Sequence, residues 1–537
     1  MPELQVKHAL LRQLVANGVE VIFGNPGTFE QGLLDVLGEY PQLRYVMGLQ
    51  EAAVLAMATN YARVGRRCAV VQLHAKVGLG NAAGALQDAV RGKTPMIVIC
   101  GENTTDWEAF DGFLAGDITR LATPASKWAI KISSSDHFLN LFHRAWVCAN
   151  TPPRGPVVLS LPMELLERPV RGLPAATVLP GGPGLPEPAD IEQISGWLRA
   201  AKNPLVLVGD ALAWADAQEQ ALKLAALLNA PLRGLGMTMV GNLLAHPWFA
   251  GVLRNVQGES VAQVTRAHDL ILTVGVTLGC EMFPQPENDY LRPGARLIQV
   301  DPNPLDIGKN VRPSLALMTD PKATLAAIVG RLEAEGQRPH SAPSRRGPTP
   351  SPSSGKFTAE EMMNTLAAEI PKGAYVVDEA MTASDFLREA LSHRPDVEYQ
   401  SCLTPGLGSG WPAGISAKLI HPERRVISVS ADGAAMYVAV SLWTAAHLNL
   451  DTIFLTVNNH AYQILKYNLD AYWGWTNQPS KSYPPMMDLA PPEIRFDLLA
   501  ESMGLTGLRA TDAHSLREAI RHAASLRGPS LIDVIVT

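Results

Sequence analysis

Two polar pairs that follow separate strand-like runs constrain the fold of this 537-residue chain most strongly. Asp432-Gly433 follows one short apolar run and Asn458-Asn459 follows another, with 27 residues from Asp432 to Asn459. The stretch 434–447 between them is apolar and long enough for a helix. Because a strand–helix–strand unit of a parallel sheet brings both carboxyl ends to one edge, we expect Asp432 and Asn459 to lie close together there.

A carboxylate and an amide oxygen at such an edge suit Mg²⁺, which prefers hard oxygen ligands and keeps coordination positions for phosphate oxygens. The helix that we expect to open at Gly433-Ala434 would offer free backbone N–H groups to the same phosphates. The alternative is an ordinary Asp-Gly turn between a strand and a helix. The Asn-Asn pair, which arrives after a strand and at the right distance, favours the magnesium and phosphate interpretation.

Composition narrows the class of protein. The chain is 47% hydrophobic and 18% charged, which is ordinary for a soluble α/β enzyme. Its formal net charge of −6 and its pI near 6.1 argue against a nucleic-acid or membrane-surface partner. The N-terminus lacks a signal-peptide core, no run approaches the length of a membrane span, and the five cysteines form no Cys-x-x-Cys pair. We therefore expect a cytoplasmic protein with reduced thiols.

Strand-like and helix-like runs alternate from end to end, and the strand-like runs are continuously apolar. Such runs are typical of parallel sheets that are covered on both faces. Breaks rich in Pro and Gly or Ser at 173–188 and 338–355 divide the chain. We predict an α/β fold of three doubly wound parallel-sheet domains, over residues 1–172, 189–335 and 356–537.

In the middle segment, apolar strand-like runs at 205–209, 270–275 and 296–301 alternate with helix-like runs, as in a dinucleotide-binding fold. It lacks Gly-x-Gly-x-x-Gly, whose glycines allow the backbone to approach a pyrophosphate. We therefore expect no bound dinucleotide, and no FAD in particular.

The pattern around Asp432 resembles the diphosphate motif of thiamine diphosphate (ThDP) enzymes, in which Gly-Asp-Gly precedes Asn-Asn. Ala431 stands in place of the first Gly and adds one methyl group beside the cofactor. The resemblance extends over nearly the whole chain and is strongest to the benzoylformate decarboxylase group, which is related to pyruvate decarboxylase and acetolactate synthase. It implies pyrimidine-binding, central and diphosphate-binding domains, with ThDP and Mg²⁺ held between two subunits of a homodimer or homotetramer.

Two motifs of the first domain match catalytic loops of that family. Glu51 matches the glutamate that hydrogen-bonds a pyrimidine nitrogen of the cofactor and shares a proton with it. Taken alone, Glu51 would be a carboxylate favoured by a helix N-terminus. Asn25, Gly27 and Thr28 match a substrate-pocket loop whose hydroxyl contacts the substrate carboxylate. Thr28 is thus catalytic by resemblance, and a helix N-cap is the alternative.

His74 follows a strand-like run and matches an active-site histidine. By resemblance it lines the substrate pocket, polarises the substrate carbonyl and shuttles a proton, whereas a histidine after a strand is otherwise structural. Lys76 is unexpected, because relatives carry small residues there, and it either points to solvent or adds a cation near the pocket. The family's second active-site histidine has no counterpart here. Phe283 falls at that position of the substrate pocket, and Glu281 is the nearest titratable residue.

The third domain supplies the remaining contacts that the resemblance implies. Leu407, between two glycines, matches the apolar wedge that bends the cofactor, and a core leucine is the alternative. Gln463 and Ile464 would line the substrate pocket, where Ile464 replaces a smaller residue. The implied metal ligands are Asp432, Asn459 and the backbone carbonyl of Ala461. The implied cofactor-binding residues are Glu51, Thr382, Leu407, Asp432, Gly433, Ala434, Tyr437, Asn459, Ala461 and Tyr462.

These motifs predict a ThDP- and Mg²⁺-dependent 2-oxo acid decarboxylase that cleaves a C–C bond without oxidation and releases CO₂ and an aldehyde. Carboligation to an aldehyde acceptor is a further expected outcome. The cofactor carries the carbanion chemistry, and the protein orients and polarises. Two alternatives stay open. One is a carboligase similar to acetolactate synthase, and the other is a non-catalytic scaffold of the same fold, against which the intact Glu51, Asp432 and Asn459 argue.

Overall fold

The computed structural model describes residues 3–236, 239, 241–254, 256–286, 289–344, 355–402 and 406–537. Three parallel six-stranded sheets with flanking helices organise these residues, which confirms the predicted fold class. The chain forms two compact units. One contains the first sheet and most of the third, and the other contains the second sheet together with residues 385–401. Part of the connector predicted at 338–355, namely 345–354, lies outside the described residues.

The first sheet has the strand order β2-β1-β3-β4-β6-β5. Its strands are β1 (Val21–Gly24), β2 (Arg44–Met47), β3 (Ala69–Leu73), β4 (Met96–Glu102), β5 (Trp128–Lys131) and β6 (Pro156–Pro162). Its helices are α1 (Val6–Ala16), α2 (Gln31–Leu37), α3 (Glu51–Gly65), α4 (Ala75–Arg91), α5 (Ile118–Ala122) and α6 (Phe138–Asn150). Strand β3 is buried along its whole length, as expected of a parallel strand covered on both faces. The residues that follow β1, β2 and β3 share one edge of this sheet.

The second sheet has the order β12-β11-β10-β7-β8-β9, the doubly wound order of dinucleotide folds. Its strands are β7 (Pro204–Val208), β8 (Leu232–Leu235), β9 (Phe249–Leu253), β10 (Leu270–Val274), β11 (Arg296–Val300) and β12 (Leu315–Leu317). Its helices are α7 (Pro188–Ala200), α8 (Asp210–Trp214), α9 (Gln218–Leu228), α10 (Gly258–Arg266) and α11 (Pro321–Ala334).

The third sheet has the order β14-β13-β15-β16-β18-β17, which repeats the order of the first sheet strand for strand. Its strands are β13 (Tyr375–Glu379), β14 (Glu398–Ser401), β15 (Val426–Ala431), β16 (Thr452–Asn458), β17 (Thr506–Ala510) and β18 (Ser530–Ile535). The helices of this part of the chain are α12 (Ala359–Glu369), α13 (Ser384–Leu391), α14 (Gly410–Ile420), α15 (Asp432–Met436), α16 (Ser441–His447), α17 (Gln463–Trp475), α18 (Phe496–Ser502) and α19 (Ala513–Ser525). The neighbouring strands β13, β15 and β16 bring their carboxyl ends to one edge.

Helices α3 and α14 pack against each other, and one hydrophobic cluster includes residues of both the first and the third sheet. Trp411 of α14 is fully buried in this cluster, with edge-to-face contacts to Phe454 and Phe496. The Ser416 hydroxyl donates to the Met57 carbonyl at 2.7 Å and so joins the two helices. A fully buried Leu or Phe side chain stabilises folding by ~1.5–3 kcal/mol, so this shared core holds the two sheets together.

The helix predicted at 434–447 is in fact two helices, α15 and α16. Between them, Tyr437 and Val438 donate to carbonyls three residues earlier, and such bonds tighten the chain into turns. Helix α15 also begins at Asp432 rather than at Gly433. No helix within the described ranges is both long enough and apolar enough to cross a membrane.

Candidate active site

The first sheet gathers Asn25, Glu51 and His74 near the carboxyl ends of β1, β2 and β3. Glu51 is the first residue of α3 and is only 8% exposed. Its carboxylate accepts a hydrogen bond from the Asn25 amide at 3.2 Å and another from the Asn81 amide at 3.1 Å. The Gln50 side chain, not Glu51, caps the helix by accepting from a first-turn N–H at 3.0 Å. The Glu51 carboxylate is therefore held by two amides across the edge and does not serve as the helix cap.

A carboxylate that the sequence reasoning missed orients His74. Glu30 is 2% exposed, and its Oε2 lies 3.0 Å from His74 Nδ1. Its Oε1 accepts the Gly101 N–H at 2.7 Å, which fixes the carboxylate against the end of β4. Burial raises the pKa of Glu30 above its ordinary value, and the hydrogen bond from His74 partly opposes that shift. Because an ionised carboxylate only accepts, it selects the His74 tautomer with the proton on Nδ1.

The loop of Asn25, Gly27 and Thr28 lies directly against His74. A Cβ on Gly27 would stand 2.0 Å from His74 Nδ1, so a side chain at this position would displace the imidazole. Thr28 is exposed and caps no helix with its side chain, because the short 3₁₀ turn that it opens is preceded by Gly27. The structure therefore does not support the N-cap alternative for Thr28, and it places the hydroxyl on an exposed loop beside the histidine.

Lys76 lies on the first turn of α4, two residues after His74, and is exposed. Its alkyl chain runs over Gly116, where an added Cβ would stand 2.3 Å from Lys76 Cδ. Lys76 Nζ would stand 2.8 Å from the same Cβ, so both the stem and the ammonium of the lysine lie against the segment that precedes α5.

The third sheet brings Asp432 and Asn459 together, as the spacing predicts. Asp432 is 2% exposed, its Oδ1 accepts the Gly433 N–H at 2.7 Å, and its Oδ2 accepts the Asn459 N–H at 3.1 Å. Burial raises the pKa of Asp432 above its ordinary value, and the backbone N–H groups around it oppose that shift. The Asn459 side-chain oxygen accepts the Ala461 N–H at 3.0 Å. A compact turn thus presents a carboxylate, an amide and a backbone carbonyl at one place.

Tyr462 and Tyr437 flank this turn. Burial raises the pKa of Tyr462, with further contributions from the charges of Tyr437 and Asp432, which places all three near one another. Thr382 lies on the short 3₁₀ turn that follows β13, the strand beside β15. Gly433 and Ala434 are buried within α15 directly after Asp432. These residues share the edge that carries Asp432.

Leu407 sits in a loop that leads into α14. It is half-buried and is absent from the hydrophobic clusters formed by the described residues, which argues against the core-leucine alternative. Gly408 follows it with a backbone φ of +103°, a value that residues other than glycine rarely adopt. A Cβ there would stand 3.0 Å from the Cβ of Tyr437, so the Leu407 loop packs on the residues after α15.

The remaining predicted pocket residues lie in two places. Gln463 and Ile464 open α17, directly after Tyr462, and both are half-buried. Phe283 belongs to the second unit, where it is 41% exposed and its backbone pairs with Val256 and Gly258.

Glu281 is not a free titratable group near the position of the missing histidine. It is buried, and its carboxylate accepts the Tyr290 hydroxyl. Burial and this contact with Glu281 raise the pKa of Tyr290. Glu281 therefore has a structural partner inside the second unit.

Family models match three parts of the chain. They describe a thiamine pyrophosphate enzyme N-terminal TPP binding domain over residues 4–121, a central domain over 191–328 and a C-terminal TPP binding domain over 380–534. The chain belongs to the thiamine pyrophosphate enzyme family. The family resemblance inferred from the Asp432 and Asn459 motif is confirmed.

Individual relatives of this TPP enzyme carry two kinds of name. Benzoylformate decarboxylase of Pseudomonas aeruginosa is 30% identical over 529 residues, which cover 96% of each protein. The acetolactate synthase large subunit of Haemophilus influenzae is 24% identical over 549 residues, which cover 98% of this chain and 93% of that protein. The solved structure of a thiamine diphosphate-dependent 4-hydroxybenzoylformate decarboxylase of Rhodococcus jostii RHA1 aligns with a TM-score of 0.88 at 28% identity and covers 99% of both chains.

The residues at the edge of the third sheet fit Mg²⁺ and a diphosphate. A divalent cation favours the ionised form of the buried Asp432 and offsets the cost of its burial. The Asn459 amide and the Ala461 carbonyl add neutral oxygen donors of the kind that Mg²⁺ accepts. Among residues that the structure describes, no cluster of three or more His, Cys, Asp or Glu side chains suits a metal ion. Asp432 thus supplies the carboxylate of a candidate ligand set whose other oxygens, from Asn459 and Ala461, are neutral.

Proposed function

We propose that this TPP enzyme is a Mg²⁺-dependent 2-oxo acid decarboxylase, with domains over residues 1–172, 189–335 and 356–537. The observation that carries the proposal is the pairing of two equivalent sheet edges with complementary chemistry. One edge holds the proton-transfer groups Glu51 and His74, and the other holds the oxygen ligands Asp432 and Asn459. A C–C cleavage at a 2-oxo acid needs both kinds of group.

The two edges form one active site across a subunit interface in this proposal. The pyrimidine-binding edge of one protomer faces the diphosphate-binding edge of its partner, so a homodimer is the smallest active form and a homotetramer is its extension. Family membership supports this arrangement, since the family's domain names divide cofactor binding between the N-terminal and C-terminal domains.

When bound, ThDP would supply a nucleophilic carbon for the substrate carbonyl and a thiazolium ring that accepts the electron pair left when CO₂ departs. Glu51 holds a proton for the cofactor's pyrimidine nitrogen, and its two amide donors keep the carboxylate aimed along the edge. Asp432, Asn459 and the Ala461 carbonyl would hold Mg²⁺, and Thr382, Gly433 and Tyr437 would line the diphosphate.

His74 acts on the substrate carbonyl through Nε2, since Nδ1 is engaged by Glu30. Glu30 fixes the ring, so His74 can polarise the carbonyl oxygen and move a proton there. Thr28 donates its hydroxyl to the substrate carboxylate from the adjacent exposed loop. Leu407 supports the bent form of the cofactor, and Gln463 and Ile464 shape the acyl pocket.

The test is a screen of 2-oxo acids for CO₂ release, run with and without aldehyde acceptors. We expect cofactor-dependent CO₂ and aldehyde from at least one aliphatic or aromatic 2-oxo acid without an acceptor. CO₂ release that requires an acceptor contradicts simple decarboxylation. The absence of any ThDP binding in a circular dichroism titration contradicts the catalytic function altogether and supports the scaffold alternative.

A carboligase is the second candidate, and one observation favours it. The position of the family's second histidine carries Phe283, and the nearby Glu281 is engaged by Tyr290. Because Phe283 cannot carry a proton and Glu281 is already engaged by Tyr290, the reaction can end by joining a second carbonyl compound. Product analysis with pyruvate separates the two, because a carboligase yields acetolactate and a decarboxylase yields acetaldehyde.

A further inference from the structure

The proposed reaction gives no role to the buried carboxylate of Glu379. Glu379 ends β13 and is 1% exposed. Its Oε1 accepts the N–H groups of Gly408 at 2.8 Å and Ser409 at 2.9 Å, and its Oε2 accepts that of Gly410 at 2.7 Å. The Ser430 hydroxyl adds a weaker contact at 3.3 Å. Three consecutive backbone donors therefore converge on a single side chain directly after Leu407.

A second carboxylate holds the other side of Leu407. The Gly406 N–H donates to Asp88 Oδ1 at 2.9 Å. Asp88 lies near the end of α4, the helix that begins directly after His74. Four backbone N–H groups of the segment 406–410 thus go to carboxylates, and Leu407 stands between the two anchors.

A carboxylate suits this position in a way that a neutral side chain does not. Only an ionised carboxylate accepts several N–H donors on both oxygens, and the start of α14 favours negative charge. Burial is the leading effect on Glu379 and raises its pKa to about 7, while the three backbone donors oppose the shift. The Cys402 thiol lies near Glu379, and burial first, then the charges of Glu379 and Asp378, raise the pKa of that thiol well above its ordinary value. Because the pKa of Glu379 is about 7, its carboxyl is ionised at pH 8 and largely protonated at pH 6.

We propose that Glu379 is a positioning residue that fixes the 406–410 loop, and with it Leu407, in the shape that binds ThDP. Asp88 is the second anchor of the same loop. The inference rests on the proposed function only in that Leu407 contacts the cofactor. The anchoring itself is a property of the chain without any ligand.

The direct test is amide hydrogen exchange of the peptide that covers 406–410, in the cofactor-free protein at pH 8. We expect Glu379→Gln to lower the protection of these amides at least tenfold, because an amide side chain cannot accept all three donors. The matched control is Glu369→Gln in the same domain, whose carboxylate pairs with Arg521 at the surface, and it should leave the loop unchanged. Parent-like protection in Glu379→Gln overturns the proposal.

A second measurement needs no folded variant. In the parent protein, protonation of Glu379 on going from pH 8 to pH 6 should reduce the protection factors of 406–410 more than those of β16. An equal change in both segments overturns the proposal even where Glu379→Gln does not fold.

Cofactor affinity separates positioning from a purely structural role. At pH 8 the dissociation constant of Mg²⁺-ThDP, measured by calorimetry, should rise at least tenfold in Glu379→Gln, and the gap to the parent should narrow at pH 6. The melting temperature of the parent should instead fall as pH rises from about 4.5 to about 7. Over that range a carboxyl whose pKa is raised in the folded state loses its stabilising contribution. If Glu379→Gln binds Mg²⁺-ThDP at pH 8 as tightly as the parent does, the positioning role is overturned. A parent that binds no ThDP contradicts the proposed function instead, while the exchange data still decide the anchoring.

Discussion

The first and third sheets have the same strand order, yet their equivalent edges carry different chemistry. After the third strand in sequence order, the first sheet places His74 and the third sheet places Asp432. After the second strand, one sheet presents Glu51 at the start of α3 and the other presents the Leu407 loop at the start of α14. The comparison shows that topology determines where a site lies, while a few side chains determine what the site can do.

The two edges also handle buried charge differently. At the first edge Glu51 is held by two side-chain amides, and Glu30 by the His74 imidazole together with the Gly101 N–H. At the second edge Asp432 and Glu379 are held mainly by backbone N–H groups. Side-chain donors can rearrange when a proton moves, whereas backbone donors keep a fixed shape. The first edge is therefore suited to proton transfer and the second to rigid binding of a metal and a diphosphate.

The largest expected effect comes from the binding edge. Asp432→Ala should abolish Mg²⁺-dependent retention of ThDP, because losing a buried ionic partner costs ~3–5 kcal/mol, or more than 100-fold in affinity. Calorimetric titration with Mg²⁺-ThDP measures this. Asp136→Ala, an exposed carboxylate in the first sheet's domain, is the control and should bind as the parent does. Parent-like affinity in Asp432→Ala would show that the third edge is not the metal site.

A substitution at the proton-transfer edge should change the rate of proton exchange rather than the affinity for ThDP. Glu51→Gln should keep ThDP bound but slow exchange of the cofactor's C2 proton by ~10²–10⁴-fold, since the carboxylate acts chemically. Proton exchange followed by NMR after acid quench measures the rate, and calorimetry measures retention. If Glu51→Gln exchanges the C2 proton at the parent rate, the role of Glu51 is refuted. If Glu51→Gln loses ThDP as severely as Asp432→Ala does, the two edges do not have separate functions.

The pair of His74 and Glu30 should give a smaller, graded effect. His74→Ala should lower kcat/KM by ~10²-fold for every substrate, and Glu30→Gln by about tenfold, because general acid–base groups contribute ~10²–10⁴-fold. The parent should lose activity toward acid as Glu30 becomes protonated, in a range above its ordinary value of 4.5 because burial raises its pKa. This acid limb should be absent in Glu30→Gln and present in the exposed control Glu39→Gln. If Glu30→Gln loses activity toward acid as the parent does, Glu30 does not act on the reaction through His74.

The smallest expected effect concerns substrate choice. Benzoylformate should have a kcat/KM at least tenfold below that of some aliphatic or differently substituted 2-oxo acid, because a methylene or two changes discrimination by ~10–200-fold. Ile464→Ala should shift the ratio toward benzoylformate, and the exposed neighbour Leu465→Ala should not. Benzoylformate as the best substrate in a broad screen contradicts the pocket argument and leaves the cofactor assignment intact.

The sequence predicted the sheets and the main edge residues because both depend on local pattern. Continuous apolar runs indicate parallel strands, and the chain segments after them must lie at the carboxyl edge, which is why Asp432 and Asn459 meet. The break between α15 and α16 was missed because it depends on packing against the Leu407 loop, which no local periodicity reveals.

Partners distant in sequence were the main omission. Glu30 follows Thr28 by two residues, yet its contacts are His74, 44 residues away, and Gly101, 71 residues away. Glu379 is absent from the site residues that the sequence predicts, yet its carboxylate accepts the N–H groups of 408–410, about 30 residues away. The one available signal is that Glu379 closely follows the apolar run 375–377, where a buried carboxylate needs partners. Which partners it finds depends on the tertiary fold.

The central claim is that the two edges act together as one site contributed by two subunits. Co-expression of Glu51→Gln and Asp432→Ala chains with different affinity tags allows the mixed dimer to be purified. Such a dimer has one intact and one doubly altered site, so it should recover about half of the parent decarboxylase activity, while each variant alone stays inactive. A mixed dimer as inactive as either variant alone would contradict the account.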